Sequence, residues 1–269
     1  ELTNDNFKRL FSYCRKKDII FMSTPFDEKS ADMLGRLGMN IFKIPSGEIT
    51  NKPLIQHIAA KNKPVILSTG MSYLNEVEKA VRWIYDIWNK SGFNQQLTLL
   101  HCVSNYPAHA KDVNLCAMNT LKAAFGLSVG YSDHTLGIEI PIAAVAMGAK
   151  VIEKHFTLDR NMKGPDHKAS LESDELKAMV KAIRNVEKAM GDGIKRPAES
   201  EEETRIIARR SLVTKRDIKK GDVIRSDDII IKRPGSGILP EFKDIIKGMR
   251  ARKSIIADSV IKWGDLKDA

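Results

Sequence analysis

Two histidines, His134 and His155, stand at the ends of two short strand-like runs. The runs read SVGYSDH and AKVIEKHF, and the apolar, alanine-rich segment 138–147 between them is typical of a buried crossover helix. In a β-α-β unit the carboxyl ends of successive strands meet at one edge of the sheet, where chemistry occurs in such folds. Two neutral imidazoles there suit a divalent metal ion with open coordination positions. The alternative is a pair of structural histidines with satisfied hydrogen bonds.

A lysine and several hydroxyl groups follow three earlier strand-like runs, in the motifs STPFD, KIPSGE and STGM. Lysine, hydroxyl and backbone N–H donors are the groups that bind a phosphate or a carboxylate. Lys43 alternates with apolar neighbours, which predicts a side chain pointing into the mouth formed by the strand ends. Each hydroxyl is alternatively a helix N-cap, and Lys43 alternatively extends into solvent. Three such clusters at one end of a sheet favour an anion site.

Three further polar residues have two interpretations each. Glu48 either caps the following helix or handles protons beside the anion site. Asp166 lies in a Gly-Pro loop, where aspartate commonly makes a turn. Tyr106 ends a strand-like run and either packs against the wall or contacts a ligand.

Strand-like and helix-like segments alternate along residues 1–195, which predicts a parallel sheet with right-handed crossovers. The predicted strands are 18–23, 40–44, 64–68, 97–103, 128–131 and 150–155; the predicted helices are 28–37, 52–61, 74–89, 114–125, 138–147 and 173–190. Polar clusters after nearly every strand favour a (β/α)8 barrel, which gathers all strand ends at one mouth. A barrel has eight strands, so we expect two β/α units to precede residue 1. A smaller open α/β sheet is the alternative.

The composition changes near residue 195. Residues 196–208 are polar and acidic and are predicted to be a linker. Residues 209–269 contain short β runs and turn sequences, which predict a small mixed β domain. No internal repeat is recognised beyond the β/α unit.

Charge and cysteine content limit the partners and the compartment. The 269 residues carry a formal net charge of +10, but the basic residues form no arginine-rich run with interleaved aromatics. An anionic small substrate accounts for the charge without nucleic acid. The three cysteines form no CxxC pattern and are typical of reduced thiols. No apolar run predicts a membrane span or a signal peptide. We expect a cytoplasmic protein.

Several ordered motifs resemble the sialic acid synthase family, which includes bacterial N-acetylneuraminate synthases and their legionaminate and pseudaminate relatives. The motifs are STPFD, FKIPSGE, ILSTGM, HCVSNYP, GYSDHT, EKHFT and GPDHKASLE, followed by RRSLV and KRPGSGI. The resemblance implies an α/β fold: a (β/α)8 TIM barrel with a small C-terminal antifreeze-like (SAF) domain. It also implies a domain-swapped homodimer.

The resemblance implies a condensing synthase that needs a divalent metal, Mn²⁺ or Mg²⁺. Phosphoenolpyruvate, water and N-acetylmannosamine or a related N-acetylated hexose would give N-acetylneuraminate and phosphate. A legionaminate synthase using 2,4-diacetamido-2,4,6-trideoxymannose, or an inactive relative, is the alternative. From the residues alone, an aldolase with a Schiff-base lysine (Lys43 or Lys154) and a carbohydrate- or ice-binding protein also remain open.

The resemblance also implies roles for single residues. His134 and His155 would bind the metal, and Glu48 would act beside phosphoenolpyruvate as a polar or proton-handling group. Asp166 would bind sugar hydroxyls, and Arg233 would reach the N-acetyl end across the swapped dimer. The residues implied for phosphoenolpyruvate are Thr24, Lys43, Ser46, Ser68 and Ser132, and those near the sugar are Asn105 and Tyr106. The glutamate, lysine and amide side chains of the family's first two strands have no match in this sequence.

Overall fold

Five parallel strands, hydrogen-bonded in chain order, form the sheet of the first part of the chain. They are β1 (Phe42–Ile44), β2 (Val65–Ser68), β3 (Leu97–Cys102), β4 (Ser128–Asp133) and β5 (Ile152–Lys154). The structure, a computed structural model, describes residues 2–268. The chain divides into two units, Glu1–Asp192 and Gly193–Ala269.

Helices connect these strands and cover the outer face of the sheet. They are α1 (Asn4–Lys16), α2 (Glu28–Leu37), α3 (Lys52–Ala59), α4 (Leu74–Ser91), α5 (Ala117–Phe125), α6 (Glu139–Ala146) and α7 (Ser173–Met190). Local signals set their ends: Asp27 accepts a hydrogen bond from the Ser30 backbone N–H at 2.8 Å, and Gly38, with φ of 96°, ends α2. Strand, helix and next strand in order give the parallel half-barrel that the alternating pattern predicts.

Strand alternation separates the core from the polar face of this sheet. Phe42 and Ile44 on β1 are fully buried in the apolar core beneath the helices. Lys43 lies between them and faces the opposite side. Burying each large apolar side chain stabilises the fold by roughly 1.5–3 kcal/mol, so this core fixes the direction of the polar side chains.

The predicted strand 18–23 is wrong. The segment joins no sheet among the residues that the structure describes, and Ile19 and Ile20 are 63% and 71% exposed. A strand requires a partner for its backbone N–H and C=O groups, and an apolar composition alone does not supply one. The neighbour of β1 in the described sheet is β2.

The second unit is built from short elements. Helix α8 (Glu202–Ala208) lies in the segment predicted as a linker, and α9 (Lys243–Ile246) lies later in the chain. Strands β6 (Ser211–Thr214) and β7 (Ile229–Lys232) pair antiparallel, as do β8 (Arg250–Ala251) and β9 (Leu266–Lys267).

One ion-paired turn occurs twice in this unit. Arg216 Nε lies 2.6 Å from Asp228 Oδ1, and Lys253 Nζ lies 2.7 Å from Asp265 Oδ1. Each aspartate also accepts a backbone N–H, from Arg225 or from Lys262, at 2.9 Å. The same capping arrangement therefore stands before β7 and before β9.

The two segments that carry this turn, residues 216–228 and 253–265, bond to each other through their backbones. Ile218 and Ile255 occupy equivalent positions and exchange backbone hydrogen bonds, both 2.8 Å long. The prediction of no internal repeat beyond the β/α unit is therefore wrong. The copies share backbone hydrogen bonds and a polar–apolar pattern with few identical residues, so the repeat is inconspicuous in the sequence. In the described part of the chain, no helix has both the length and the apolar character that crossing a membrane requires.

Candidate active site

A cavity of about 420 Å³ lies where the strands of the first unit end. Its lining consists of Phe26, Lys43, Pro45, Ser46, Gly47, Ser68, Met71, Cys102, Ser104, Tyr106, Ser132, His134, Glu153 and His155. The structure thus brings together seven of the residues singled out in the sequence: Lys43, Ser46, Ser68, Tyr106, Ser132, His134 and His155. This edge of the sheet is where the argument from parallel strands places a site.

The two histidines face each other across the ends of β4 and β5. Their ring centroids are 5.2 Å apart. His134 Nδ1 lies 2.7 Å from the Val103 carbonyl oxygen, so this nitrogen carries the proton and Nε2 keeps its lone pair. Burial lowers the pKa of His134, and the neighbouring His155 adds to this, although the bond to Val103 opposes it. A neutral imidazole held by a backbone carbonyl is the form that binds a metal ion.

The donor set fits a divalent cation bound by two imidazoles with open positions. His155 Nδ1 lies 4.0 Å from Asp166 Oδ2, so a carboxylate stands beside the second ring. Residues 2–268 contain no group of three or more His, Cys, Asp and Glu side chains arranged to hold a metal. At this cavity, His134 and His155 are the side chains that could hold a divalent ion, with the remaining coordination positions left for small molecules.

Tyr106 covers the histidine pair from one side. Its ring centroid lies 4.3 Å from that of His134 and 5.4 Å from that of His155. Burial raises the pKa of the Tyr106 phenol, as do the nearby Cys102, Asp166 and Glu153. The neutral phenol remains half exposed and can both pack against a sugar and donate a hydrogen bond.

Glu153 links the anion-binding side of the cavity to the histidine side. Its carboxylate lies 2.9 Å from Lys43 Nζ and accepts a hydrogen bond of 2.7 Å from Ser132 Oγ. Burial raises the pKa of Glu153, but the charge of Lys43 and the bonds from Ser132 and Lys43 outweigh it, so the pKa is lowered overall. Glu153 is thus held ionised beside a lysine that is itself buried.

Sequence reasoning missed Glu153 as a site residue, although a signal was present. Glu153 on β5 precedes His155, which directly follows this strand, by two residues, so both side chains point to the same face of the sheet. The partner of Glu153 in the β4 ladder is Ser132, which was assigned to the site.

Two serines of the cavity lining, Ser46 and Ser68, differ in their hydrogen bonding. Ser46 Oγ accepts the Gly70 N–H at 2.9 Å and lies 3.1 Å from Cys102 Sγ. Ser68 Oγ is buried and has no hydrogen-bond partner among the described residues. A buried hydroxyl without a partner is costly, and because Ser68 lines the cavity its hydroxyl is available to bond a ligand there.

Gly70 keeps this side of the cavity open. A Cβ atom there would lie 2.5 Å from Ser104 Oγ, 2.8 Å from Cys102 Sγ and 2.9 Å from Ser46 Oγ. These distances are well below van der Waals contact, so the STGM motif requires glycine at this position.

The other predicted residues lie outside the cavity lining. Glu48 Oε2 accepts a bond of 2.7 Å from Asn51 Nδ2, and Asn51 is the residue that caps α3, so Glu48 supports this cap without bonding to the helix backbone. Asn105 is exposed and accepts the Tyr106 N–H at 3.1 Å. Thr24 is half-buried. Asp166 lies beside the cavity, since its carboxylate is 4.0 Å from Nδ1 of the lining residue His155.

Arg233 and Lys154 complete the account of the predicted residues. Arg233 is exposed on the second unit, just after β7. Lys154, the alternative Schiff-base nucleophile, is buried beside Asp133 and does not line the cavity.

Comparison with known proteins identifies the class. The NeuB family model matches residues 1–195 and the SAF domain model matches residues 209–267. The chain belongs to the NeuB family and carries a C-terminal SAF domain, which confirms the resemblance of its motifs to the sialic acid synthases. The fold class is confirmed as well, and the chain is an enzyme of the condensing-synthase type.

Individual relatives narrow the comparison. The chain is 52% identical over 263 residues to the N,N'-diacetyllegionaminic acid synthase of Campylobacter jejuni, covering 97% of this chain and 78% of that protein. It is 47% identical to the protein of the same name from Legionella pneumophila, covering 98% and 74%. The crystal structure of an N-acetylneuraminic acid synthetase from Leptospira borgpetersenii, in complex with citrate, is 40% identical with a TM-score of 0.70 and covers 76% of this chain and 70% of that one.

Proposed function

We propose that the protein condenses phosphoenolpyruvate with an N-acetylated amino sugar and water, giving a 2-keto acid with nine carbons and inorganic phosphate. The observation that carries the proposal is that a cluster of lysine and serine side chains and a pair of histidines line the same cavity. Lys43, Ser46 and Ser68 come from the β1 and β2 ends of the lining, and His134 and His155 follow β4 and β5, with Ser132 on β4. Phosphoenolpyruvate carries a phosphate and a carboxylate, whereas the sugar is neutral and carries an aldehyde. The reaction therefore needs one subsite for an anion and a different one for a sugar.

The anion side supports binding of phosphoenolpyruvate. Its phosphate and carboxylate together carry about three negative charges, which need ammonium and hydroxyl donors in a water-poor site. Lys43 offers the charge, and the unpartnered Ser68 hydroxyl offers a donor that no protein group uses. The Leptospira structure named for this class of enzyme holds citrate, which is a polycarboxylate.

The histidine side supports binding of the sugar aldehyde. A divalent ion held by His134 and His155, Mn²⁺ or Mg²⁺, would supply Lewis-acid polarisation of the aldehyde oxygen and a template for orientation. Tyr106 packs beside both rings and offers a face to the sugar. Glu153 holds a negative charge beside Lys43 and Ser132 in the same cavity, which supports a role in orienting the substrates.

The sugar is proposed to be 2,4-diacetamido-2,4,6-trideoxymannose, which gives a legionaminate product. Two diacetyllegionaminic acid synthases share 52% and 47% identity with this chain, above the 40% of the Leptospira sialic acid synthetase. N-acetylmannosamine, favoured on the motifs alone, remains the second candidate because of that structure. A domain-swapped homodimer, in which Arg233 reaches the sugar's N-acetyl group, is part of the proposal, as is a cytoplasmic location.

The test is phosphate release from phosphoenolpyruvate by the full-length protein with Mn²⁺. Release is measured without sugar, with N-acetylmannosamine, and with the 2,4-diacetamido-6-deoxy analogue. We expect release that depends on a sugar and is fastest with the diacetamido analogue. Faster release with N-acetylmannosamine would assign the sialic acid branch, and no release with either sugar by a folded, metal-loaded protein would reject the proposal.

A further inference from the structure

A buried ion pair lies on the opposite face of β4 and β5 from the histidines. Lys154 Nζ lies 2.6 Å from Asp133 Oδ2, and the two side chains are 2% and 0% exposed. Asp133 immediately precedes His134, and Lys154 immediately precedes His155. Because side chains alternate along a strand, both charges point away from the cavity that the imidazoles line. Neither charge can touch a ligand in that cavity.

The lysine also bonds to the residue on the other side of His134. Lys154 Nζ donates to the Thr135 backbone carbonyl, in addition to Asp133. Thr135 Oγ1 donates to the Asp133 carboxylate, at 2.9 Å and 3.1 Å from its two oxygens. The His134 carbonyl itself accepts the Ala108 N–H at 2.8 Å. The ammonium before His155 therefore holds both chain neighbours of His134.

The ion pair also specifies the register between the two strands. Asp133 is the ladder partner of Lys154, as Ser132 is of Glu153. Strand β5 has only three residues, all of them half-buried, so its apolar burial specifies register weakly. A slip of one residue would place Glu153 opposite Asp133, and two carboxylates facing each other are destabilising. The buried pair thus selects the register in which His155 points into the cavity.

We propose that Asp133 and Lys154 are positioning residues that fix His134 and His155 at the separation a metal ion needs. The inference rests on the proposed function, because it takes the histidine pair as the metal site. Buried ion pairs add little net stability compared with apolar pairs of the same size, so a role in specifying geometry explains this one better. Changes behind a metal ligand typically weaken metal affinity about 10–100-fold, which sets the expected effect.

The test is Mn²⁺ binding by the metal-free, full-length protein, followed by electron paramagnetic resonance without substrates. The double variant Asp133→Leu/Lys154→Met removes both charges and leaves neither one buried alone. We expect it to fold with a lowered melting temperature, because the Thr135 N–H and hydroxyl lose their acceptor and the Thr135 carbonyl loses its donor. It should bind Mn²⁺ about 10–100-fold more weakly and exchange its β4 and β5 backbone amides faster. Val129→Ala is the matched control on the same face of β4, since it lowers stability by leaving a cavity in the apolar core and changes neither charge.

A second variant covers the case in which the double variant does not fold. Thr135→Val keeps both charges and removes the hydroxyl that holds the Asp133 carboxylate. It should weaken Mn²⁺ binding in the same direction by a smaller factor. Wild-type Mn²⁺ affinity together with wild-type amide exchange in Thr135→Val would then count against the inference.

His134→Ala distinguishes failure of the inference from failure of the metal site. If His134→Ala loses Mn²⁺ binding and the double variant keeps wild-type affinity, the positioning role is overturned and the metal site stands. If both lose affinity while Val129→Ala does not, the inference is supported. If His134→Ala binds Mn²⁺ as the wild type does, the histidine site is wrong and the inference falls with it.

Discussion

The Lys43 ammonium lies 3.0 Å and 2.9 Å from the two carboxylate oxygens of Glu153, although the residues are 110 positions apart in the chain. The pair spans the sheet from β1 to β5 beneath the cavity. The charge of Lys43 is therefore already paired with a carboxylate when no anion is bound. Phosphoenolpyruvate binding must compete with Glu153 for this charge, so the carboxylate tunes affinity as well as chemistry.

The first prediction concerns this competition. Glu153→Gln removes the competing charge, and we expect phosphoenolpyruvate to bind about tenfold more tightly, which corresponds to about 1.4 kcal/mol. Lys43→Met should weaken binding by at least the same factor. Isothermal titration with phosphoenolpyruvate in the absence of sugar measures both.

The control for this pair is a lysine–carboxylate contact elsewhere in the first unit. Asp32 on α2 pairs with Lys61, which follows the end of α3, and neither residue lines the cavity. Asp32→Asn should leave the phosphoenolpyruvate dissociation constant unchanged. A Glu153→Gln variant that binds phosphoenolpyruvate as weakly as Lys43→Met would show that the carboxylate aids binding instead of competing with it.

The second prediction separates ligand binding from stability at the two serines. Ser68 Oγ is buried without a partner in the described structure, so Ser68→Ala should leave the free energy of unfolding unchanged or raise it by about 1 kcal/mol. The same change should raise the KM for phosphoenolpyruvate about tenfold. Ser46→Ala removes the acceptor of the Gly70 N–H and should lower stability by about 1–3 kcal/mol. Urea unfolding measures the stability of both variants, and steady-state kinetics measure their KM for phosphoenolpyruvate. A loss of stability in Ser68→Ala would mean that the Ser68 hydroxyl does have a partner.

The third prediction concerns the space that Gly70 leaves. The Cβ of Gly70→Ala would overlap three side-chain atoms at 2.5 Å to 2.9 Å, and overpacking of this kind costs about 1–3 kcal/mol. Gly47→Ala is the matched control, since nothing lies within 4 Å of a Cβ there. We expect a lower melting temperature for Gly70→Ala alone. Equal melting temperatures of the two variants would mean that the cavity wall yields freely.

The fourth prediction is metal removal. A chelator should abolish sugar-dependent phosphate release, and Mn²⁺ should restore it in the wild type but not in His155→Ala. His109→Ala is the control, because His109 is exposed and does not line the cavity. Full activity in the presence of chelator would remove the metal from the proposed function.

Much of the fold followed from local signals in the sequence. Helices α2 and α7 were predicted with the bounds they have, because the helical pattern of α2 runs from the Asp27 cap to Gly38 and that of α7 is long and regularly amphipathic. The strand predicted at 18–23 was wrong because a strand depends on a ladder partner elsewhere in the chain. Local composition does not contain that information.

Some residues of the candidate site could likewise be predicted from the sequence, and others depend on contacts between distant parts of the chain. Side chains that end a strand, such as His134 and Ser68, could be predicted from alternation alone and do line the cavity. Glu153 matters because it meets Lys43 from across the sheet, a contact that depends on sheet order and register. The bond that Asn51 donates to Glu48 depends on side-chain placement, which the sequence alone does not give.

The last prediction concerns acid stability of the second unit. Burial raises the pKa of Asp228 and of Asp265, but the bonds from Arg216 and Lys253, together with backbone N–H donors, lower each pKa overall. A carboxylate with a lowered folded pKa adds stability that is fully present above the unfolded pKa of about 3.9 and disappears as pH falls through the folded pKa. We therefore expect the free energy of unfolding to fall as pH drops below about 5.

Removing the carboxylates should flatten this pH dependence. Asp228→Asn/Asp265→Asn should be less stable near neutral pH, because charge-assisted bonds to Arg216 and Lys253 are lost, yet should lose less stability on acidification. Urea unfolding of the full-length protein across the acid range measures the slope. Asp227→Asn, at an exposed neighbouring position, is the control and should follow the wild type. The slope of the unfolding free energy against pH reports how many more protons the unfolded state binds than the folded state. If the double variant kept the wild-type slope, carboxylates other than Asp228 and Asp265 would set the acid stability.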